Sequence, residues 1–81
     1  MDKMAEINRR IQQIVCEQLK HVKPEQVVPT AALAADLHAD PLGVVEVILA
    51  IEDAFSVDMD EDDAQKIVTV GDAIQYIASH T

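Results

Sequence analysis

Three groups of side chains in this sequence could do chemistry. Asp58, Asp60 and Asp62 alternate as the first ligands of a calcium-binding loop do. Such a loop also needs a glycine where Asp63 stands and a bidentate glutamate where Thr69 stands, so no dedicated metal site is expected. These acids read instead as the solvated start of a helix, able to hold divalent cations only loosely. Cys16 could act as a nucleophile with His21, His38 or His80 as its base. Nothing in the pattern positions them, because Cys16 falls mid-helix, His21 at that helix's end and His80 in the terminal tail, and no catalytic residue is expected. The third group is the stretch Asp36 to Ser56. Asp40 is suited to cap a helix, since its carboxylate can accept from the first unpaired backbone amides. Pro41 follows at the first helical position, where a missing N–H costs nothing.

The helix that starts there is apolar on two sides. Val44, Val47, Ile48, Ile51 and Phe55 form one stripe, and Leu42, Val45 and Leu49 form a second, flanked by Glu46, Glu52 and Asp53. One stripe can face a core, but the other needs a different partner. On composition alone that partner is as well the long connection or a short third helix of the same chain as another protein.

The same stretch carries a family resemblance. Asp36-Leu-His-Ala-Asp-Pro-Leu42, then Val45-Glu46 and Glu52-Asp-Ala-Phe55, resembles the acyl carrier protein family, whose pattern is D-L-G-A-D-S-L followed by an acidic amphipathic helix. Asp60 to Ile67 and Thr69 to Ile74 are similar to the family's later segments, so the likeness runs through nearly the whole chain. It implies an all-α fold, a small four-helix bundle with three main helices and one short one. It also implies a serine that carries 4′-phosphopantetheine for acyl groups, and an acidic helix that docks on synthase or transferase enzymes of fatty-acid, lipid or polyketide synthesis. The docking set carried over is Leu42, Val45, Glu46, Leu49, Glu52 and Asp53, meeting basic patches.

At the attachment position, between Asp40 and Leu42, this chain has Pro41. Attachment is a phosphoryl transfer to a hydroxyl oxygen, and proline has no side-chain heteroatom. The nearest hydroxyls, Thr30 and Ser56, lie outside any D-S-L context, so no cofactor is expected on the sequence as written. His38 stands where the family has glycine, which suggests a residue at positive φ, a conformation histidine tolerates better than most. Gly43 departs from the acidic or polar residue often found there, and a mid-helix glycine costs up to about 1 kcal/mol against alanine. The expected role is docking, scaffolding or competition without an acyl arm. Two alternatives stand beside it: a genuine carrier whose serine was changed to Pro41, a single base substitution, and an acidic structural domain unrelated to acyl chemistry.

Composition bounds these readings. Eighty-one residues suit one domain, residues 1 to 81, which buries about 60% of the surface it would expose unfolded. With only Phe55 and Tyr76 aromatic, the core must be aliphatic. The formal charge of −9 is concentrated in residues 36 to 63, which hold ten acids and no Lys or Arg, while the rest of the chain is nearly balanced. A polyanion is repelled by phosphate backbones and anionic lipid, so nucleic acid and membrane surfaces are not expected partners. One cysteine excludes an internal disulfide, the N-terminus lacks a signal-peptide core, and the longest apolar run, Val47 to Ile51, is too short to span a bilayer. A cytoplasmic monomer is expected.

Periodicity supplies the remaining elements. Met4, Ile7, Ile11, Ile14, Val15 and Leu19 recur at helical spacing and predict a helix near residues 3 to 20, ended before Pro24. Residues 22 to 40 form a long connection whose Val22, Val27, Val28, Leu33 and Leu37 should pack on the bundle. Within it, Pro29 to Ala35 fits a helical turn as well as extended packing. A helix near 41 to 56 follows, then a short one near 60 to 66 with its acids in the first turn, as the macrodipole favours. A last helix near 70 to 79 begins at Thr69, capped with Asp72, and turns Val70, Ala73, Ile74, Ile77 and Ala78 inward.

Overall fold

A computed structural model describes residues 2–80. The chain is all-α, with α1 at Lys3–Gln18, α2 at Pro41–Phe55, α3 at Glu61–Gln65 and α4 at Val70–His80. Helix α1 packs against both α2 and α4. The centre is aliphatic: Ile11, Val15, Val47, Ile51, Val70 and Ile77 have almost no exposed surface. Burying each such side chain is worth about 1.5 to 3 kcal/mol, which holds together helices too short to persist alone.

Each helix starts on a side-chain cap. The Met4 N–H donates to Asp2 Oδ1 (3.2 Å), the Gly43 N–H to Asp40 Oδ1 (2.6 Å) and the Asp63 N–H to Asp60 Oδ1 (2.8 Å). At α4 the cap is reciprocal. The Asp72 N–H donates to Thr69 Oγ1 (3.1 Å), while Asp72 Oδ2 accepts from the N–H groups of both Thr69 and Val68 (3.0 Å each).

The ends differ from expectation in small ways with identifiable causes. Helix α1 stops at Gln18 because Leu19 leaves helical geometry (φ −107°, ψ 86°) and turns inward, followed by Val22. Met4, placed on the inner face by spacing, and Val28, expected to pack down from the connection, lie 39% and 44% exposed at the rim. Residues 60 to 66 yield five helical residues, with Asp60 and Lys66 as caps.

The long connection is where local pattern says least. Pro24–Gln26 forms a 3-10 turn, and residues 29 to 30 and 33 to 37 form turns, with no helix. The Gln12 side chain reaches from α1 to donate to the Pro24 carbonyl (2.7 Å). Backbone bonds to the start of α4 then hold the segment down: Leu33 N–H to Val68 O (3.0 Å), Val70 N–H to Ala31 O (3.0 Å) and Gly71 N–H to Pro29 O (2.9 Å). Ala32 and Thr69 form an isolated antiparallel bridge at the centre of this contact.

Gly71 makes that approach possible, since a Cβ there would sit 2.9 Å from the Pro29 carbonyl oxygen. Backbone cannot swing aside as a side chain can, so Gly71→Ala should lower stability by roughly 1 to 3 kcal/mol despite alanine's better helix propensity. A thermal melt of the variant equal to or above the unaltered protein would show that the connection yields.

Asp72 supplies a pH dependence of known sign. The N–H groups of Thr69 and then Val68 hold its carboxyl below the ordinary range, against a smaller opposing effect of burial. A carboxyl lowered by folding stabilises above its unfolded value near 4, and the contribution is lost as pH falls through the lower folded value. Asp72→Ala should therefore cost about 0.5 to 1 kcal/mol at pH 7, the low end of capping losses because water reaches the group. The gap should close in acid; a gap that stays constant to about pH 2.5 would remove the charge from the account.

Candidate functional site

The start of α2 collects the residues that the sequence singles out. Asp40 is extended (φ −75°, ψ 172°) and its carboxylate closes the first turn on Gly43. Pro41 follows at the first helical position, exposed, with a ring that bears no heteroatom. His38 lies in the left-handed region at φ 57°, as a glycine position demands.

Two contacts fix the loop that leads there. Asp36 Oδ2 accepts from the Ala32 N–H (2.7 Å), closing the turn around Leu33 and Leu37. His21, just past α1, hydrogen-bonds the Leu37 carbonyl through Nε2 (2.7 Å), and since a carbonyl only accepts, that nitrogen carries the proton. Between the end of α1 and the start of α2 lies an open cleft of about 260 Å³. Lys20 and His21 line one wall, and Asp40, Leu42 and Glu46 the other. Gly43 faces Leu19 across the helix contact, where a Cβ would come within 3.2 Å of Leu19 Cδ2. The glycine is buried, and its helical cost is set against that close approach.

Helix α2 turns Val47, Ile48 and Ile51 into the core and leaves the second stripe uncovered: Leu42 is 65% exposed, Val45 50% and Leu49 58%. Neither the long connection nor α3 packs over them. Glu46 and Asp53 are exposed on the same side of the helix. Glu52 is different, because it is half-buried and its Oε2 accepts from the Met59 N–H (2.8 Å), tying α2 to the segment before α3. Ser56 ends α2 at φ 54°.

The other chemistry-bearing side chains are engaged elsewhere. Cys16 is half-buried, and burial, then the charge of Glu25, pushes its thiol up, which disfavours the thiolate a nucleophile needs. His80 stacks on Tyr76 (ring centroids 4.0 Å apart) and bonds the Tyr76 carbonyl through Nδ1 (2.7 Å). Among the described residues, no three of His, Cys, Asp and Glu gather as a metal site, and no helix is long and apolar enough to cross a membrane. The roles of His21 and Asp36 do not follow from the sequence. His21 acts 16 residues away, beyond any local pattern. Asp36 stands in the family-like motif, yet only the fold shows which amide it serves.

Known proteins resemble this chain in sequence and in fold. The family model for the phosphopantetheine attachment site matches residues 9–77. An acyl carrier protein of Desulforapulum autotrophicum is 46% identical over 71 residues, 88% of this chain and 92% of that one. The solved structure of the acyl carrier protein from Enterococcus faecalis superposes with a TM-score of 0.80 at 31% identity, covering 99% of this chain and 100% of that one. The chain belongs to the acyl carrier protein family. Members are carriers that work with synthase and transferase enzymes and are not themselves catalysts.

The ten acids of residues 36 to 63 face no Lys or Arg of their own segment. Their mutual repulsion is screened over about 8 to 10 Å at physiological salt. The melting temperature should rise with NaCl and further with millimolar Mg²⁺, while a melt insensitive to both would mean that the acids are dispersed or already paired.

Proposed function

We propose that this chain docks on enzymes of acyl metabolism through α2 and carries no phosphopantetheine arm of its own. The observation that carries the reading is the pairing of an intact helix start with a proline at the acceptor position. Asp40 still caps, Leu42 still follows, and the residue between them has no oxygen to receive a phosphoryl group. The covalent cofactor of the family does not fit that side chain.

The docking surface is the exposed face of α2. Leu42, Val45 and Leu49 supply apolar contact, and Glu46 and Asp53 meet a basic patch on the partner. Charge steers the encounter and apolar burial slows dissociation. Glu52 belongs to this set with a weaker claim, since part of its hydrogen-bonding capacity already serves Met59. The family's setting makes a synthase or transferase the natural partner, with the chain acting as a monomer in the cytoplasm.

A second reading, a working carrier whose serine has been changed to proline, draws support from 46% identity to an acyl carrier protein over nearly the full length of both. It differs in history and not in the chemistry of the sequence as it stands. Incubation with coenzyme A and a broad-specificity phosphopantetheinyl transferase should add no mass to the unaltered chain. Pro41→Ser should gain one phosphopantetheine and lose roughly 0.4 to 1 kcal/mol of stability as proline's constraint on the unfolded chain is removed. Mass gain on the unaltered chain would sink the arm-free reading.

A further inference from the structure

We propose that the surface around Pro41 is a dead-end docking site for the class of enzyme that attaches phosphopantetheine to a carrier hydroxyl, so that this chain competes with serine-bearing carriers for that enzyme. The inference rests on the reading that position 41 takes no arm. Its basis is a surface kept in shape while one atom is missing.

His38 holds the left-handed turn at φ 57° although it is not glycine. His21 and Asp36 pin the loop from two sides, and Asp40 caps the helix. Beside the acceptor position Leu42 stands 65% exposed. The surroundings of the acceptor are presented, and the oxygen is not. Proline, with φ preset for the first helical turn, keeps this surface ordered and lowers the conformational cost of binding it.

Charge selects the partner among basic proteins. The donor, coenzyme A, is a polyanion of phosphates, so an enzyme that binds it must surround the mouth of its site with cations. The surface offered to that mouth includes Asp40 and Glu46, with Lys20 as the one cation across the cleft, and most of it belongs to the segment with ten acids and no Lys or Arg. Opposite potentials of this kind speed encounter and fix orientation.

On a serine-bearing carrier, transfer forms a P–O bond to the hydroxyl oxygen and breaks the pyrophosphate P–O bond of coenzyme A. Adenosine 3′,5′-bisphosphate leaves, and the hydroxyl proton passes to a base. On Pro41 no such bond can form, and the complex dissociates unchanged.

The test uses Pro41→Ser of this chain as substrate, coenzyme A as donor and a broad-specificity phosphopantetheinyl transferase, with the unaltered chain added as inhibitor and product read by intact mass. The expected result is competitive inhibition: the apparent KM for the serine variant rises with inhibitor, kcat stays fixed, and Ki lies within about tenfold of that KM. In the unaltered chain, Leu42→Ala and Glu46→Lys should each raise Ki by at least about threefold, the second less so at high salt, with helical circular dichroism retained. Absence of inhibition at about tenfold excess over KM, or inhibition that both variants leave unchanged, overturns the proposal. A folded Pro41→Ser that resists modification also overturns it, because the enzyme then does not read this face. Mass gained by the unaltered chain is a different failure, that of the arm-free reading beneath it.

Discussion

The hydrogen bond from the Gly43 N–H to Asp40 Oδ1 fixes where α2 begins, so that the apolar pattern is helical from its first residue. Given that start, helical geometry carries Val47, Ile48 and Ile51 inward and leaves Leu42, Val45 and Leu49 outside. Removing the cap would leave that phase unchanged but would strand first-turn amides without a partner and fray the end of the helix beside Leu42. Proline at the next position reinforces the same start, because its ring permits the first turn of a helix and no interior position. The residue that offers no acceptor oxygen is therefore also one that stabilises the start of α2.

The loop before that cap is held from outside the helix. His21 reaches it from the end of α1, and the segment ahead of it is bonded through Pro29, Ala31 and Leu33 to the beginning of α4. Gly71 allows that backbone contact, and Asp72 caps the helix that receives it. A connection that would otherwise be a loose tether becomes a wall of the bundle. Its buried Val27, Leu33 and Leu37 contribute apolar area that the short helices of a chain this size cannot supply alone.

Much of this architecture is legible in the sequence, for reasons that differ by element. Helix α1 follows from apolar spacing, and α2 and α4 from apolar spacing together with a cap at each start, all local properties. Asp40 and Thr69 are assignable as caps from residue type and position alone, and the left-handed turn at His38 follows from the glycine its family has there. The 3-10 turn at Pro24–Gln26 and the turns of residues 29 to 30 and 33 to 37 are not legible, since they are set by partners on α1 and α4. The two faces of α2 can be counted but not assigned, because hydrophobicity alone does not say which stripe finds a partner. Exposure of Leu42, Val45 and Leu49 leaves the second stripe free for another protein, and Glu52 shows the converse case, an acid assigned outward that also serves a neighbouring loop.

The central claim is that a carrier-family surface persists here without its arm, and the mass of the protein made in its own host tests it most directly. Purified from that host and measured intact and by the peptide that spans residues 36 to 56, the protein should show the mass of an unmodified position 41, with no phosphopantetheine added. A species heavier by one phosphopantetheine, with or without an acyl group, would contradict the account and identify the natural residue at position 41 as one with a hydroxyl.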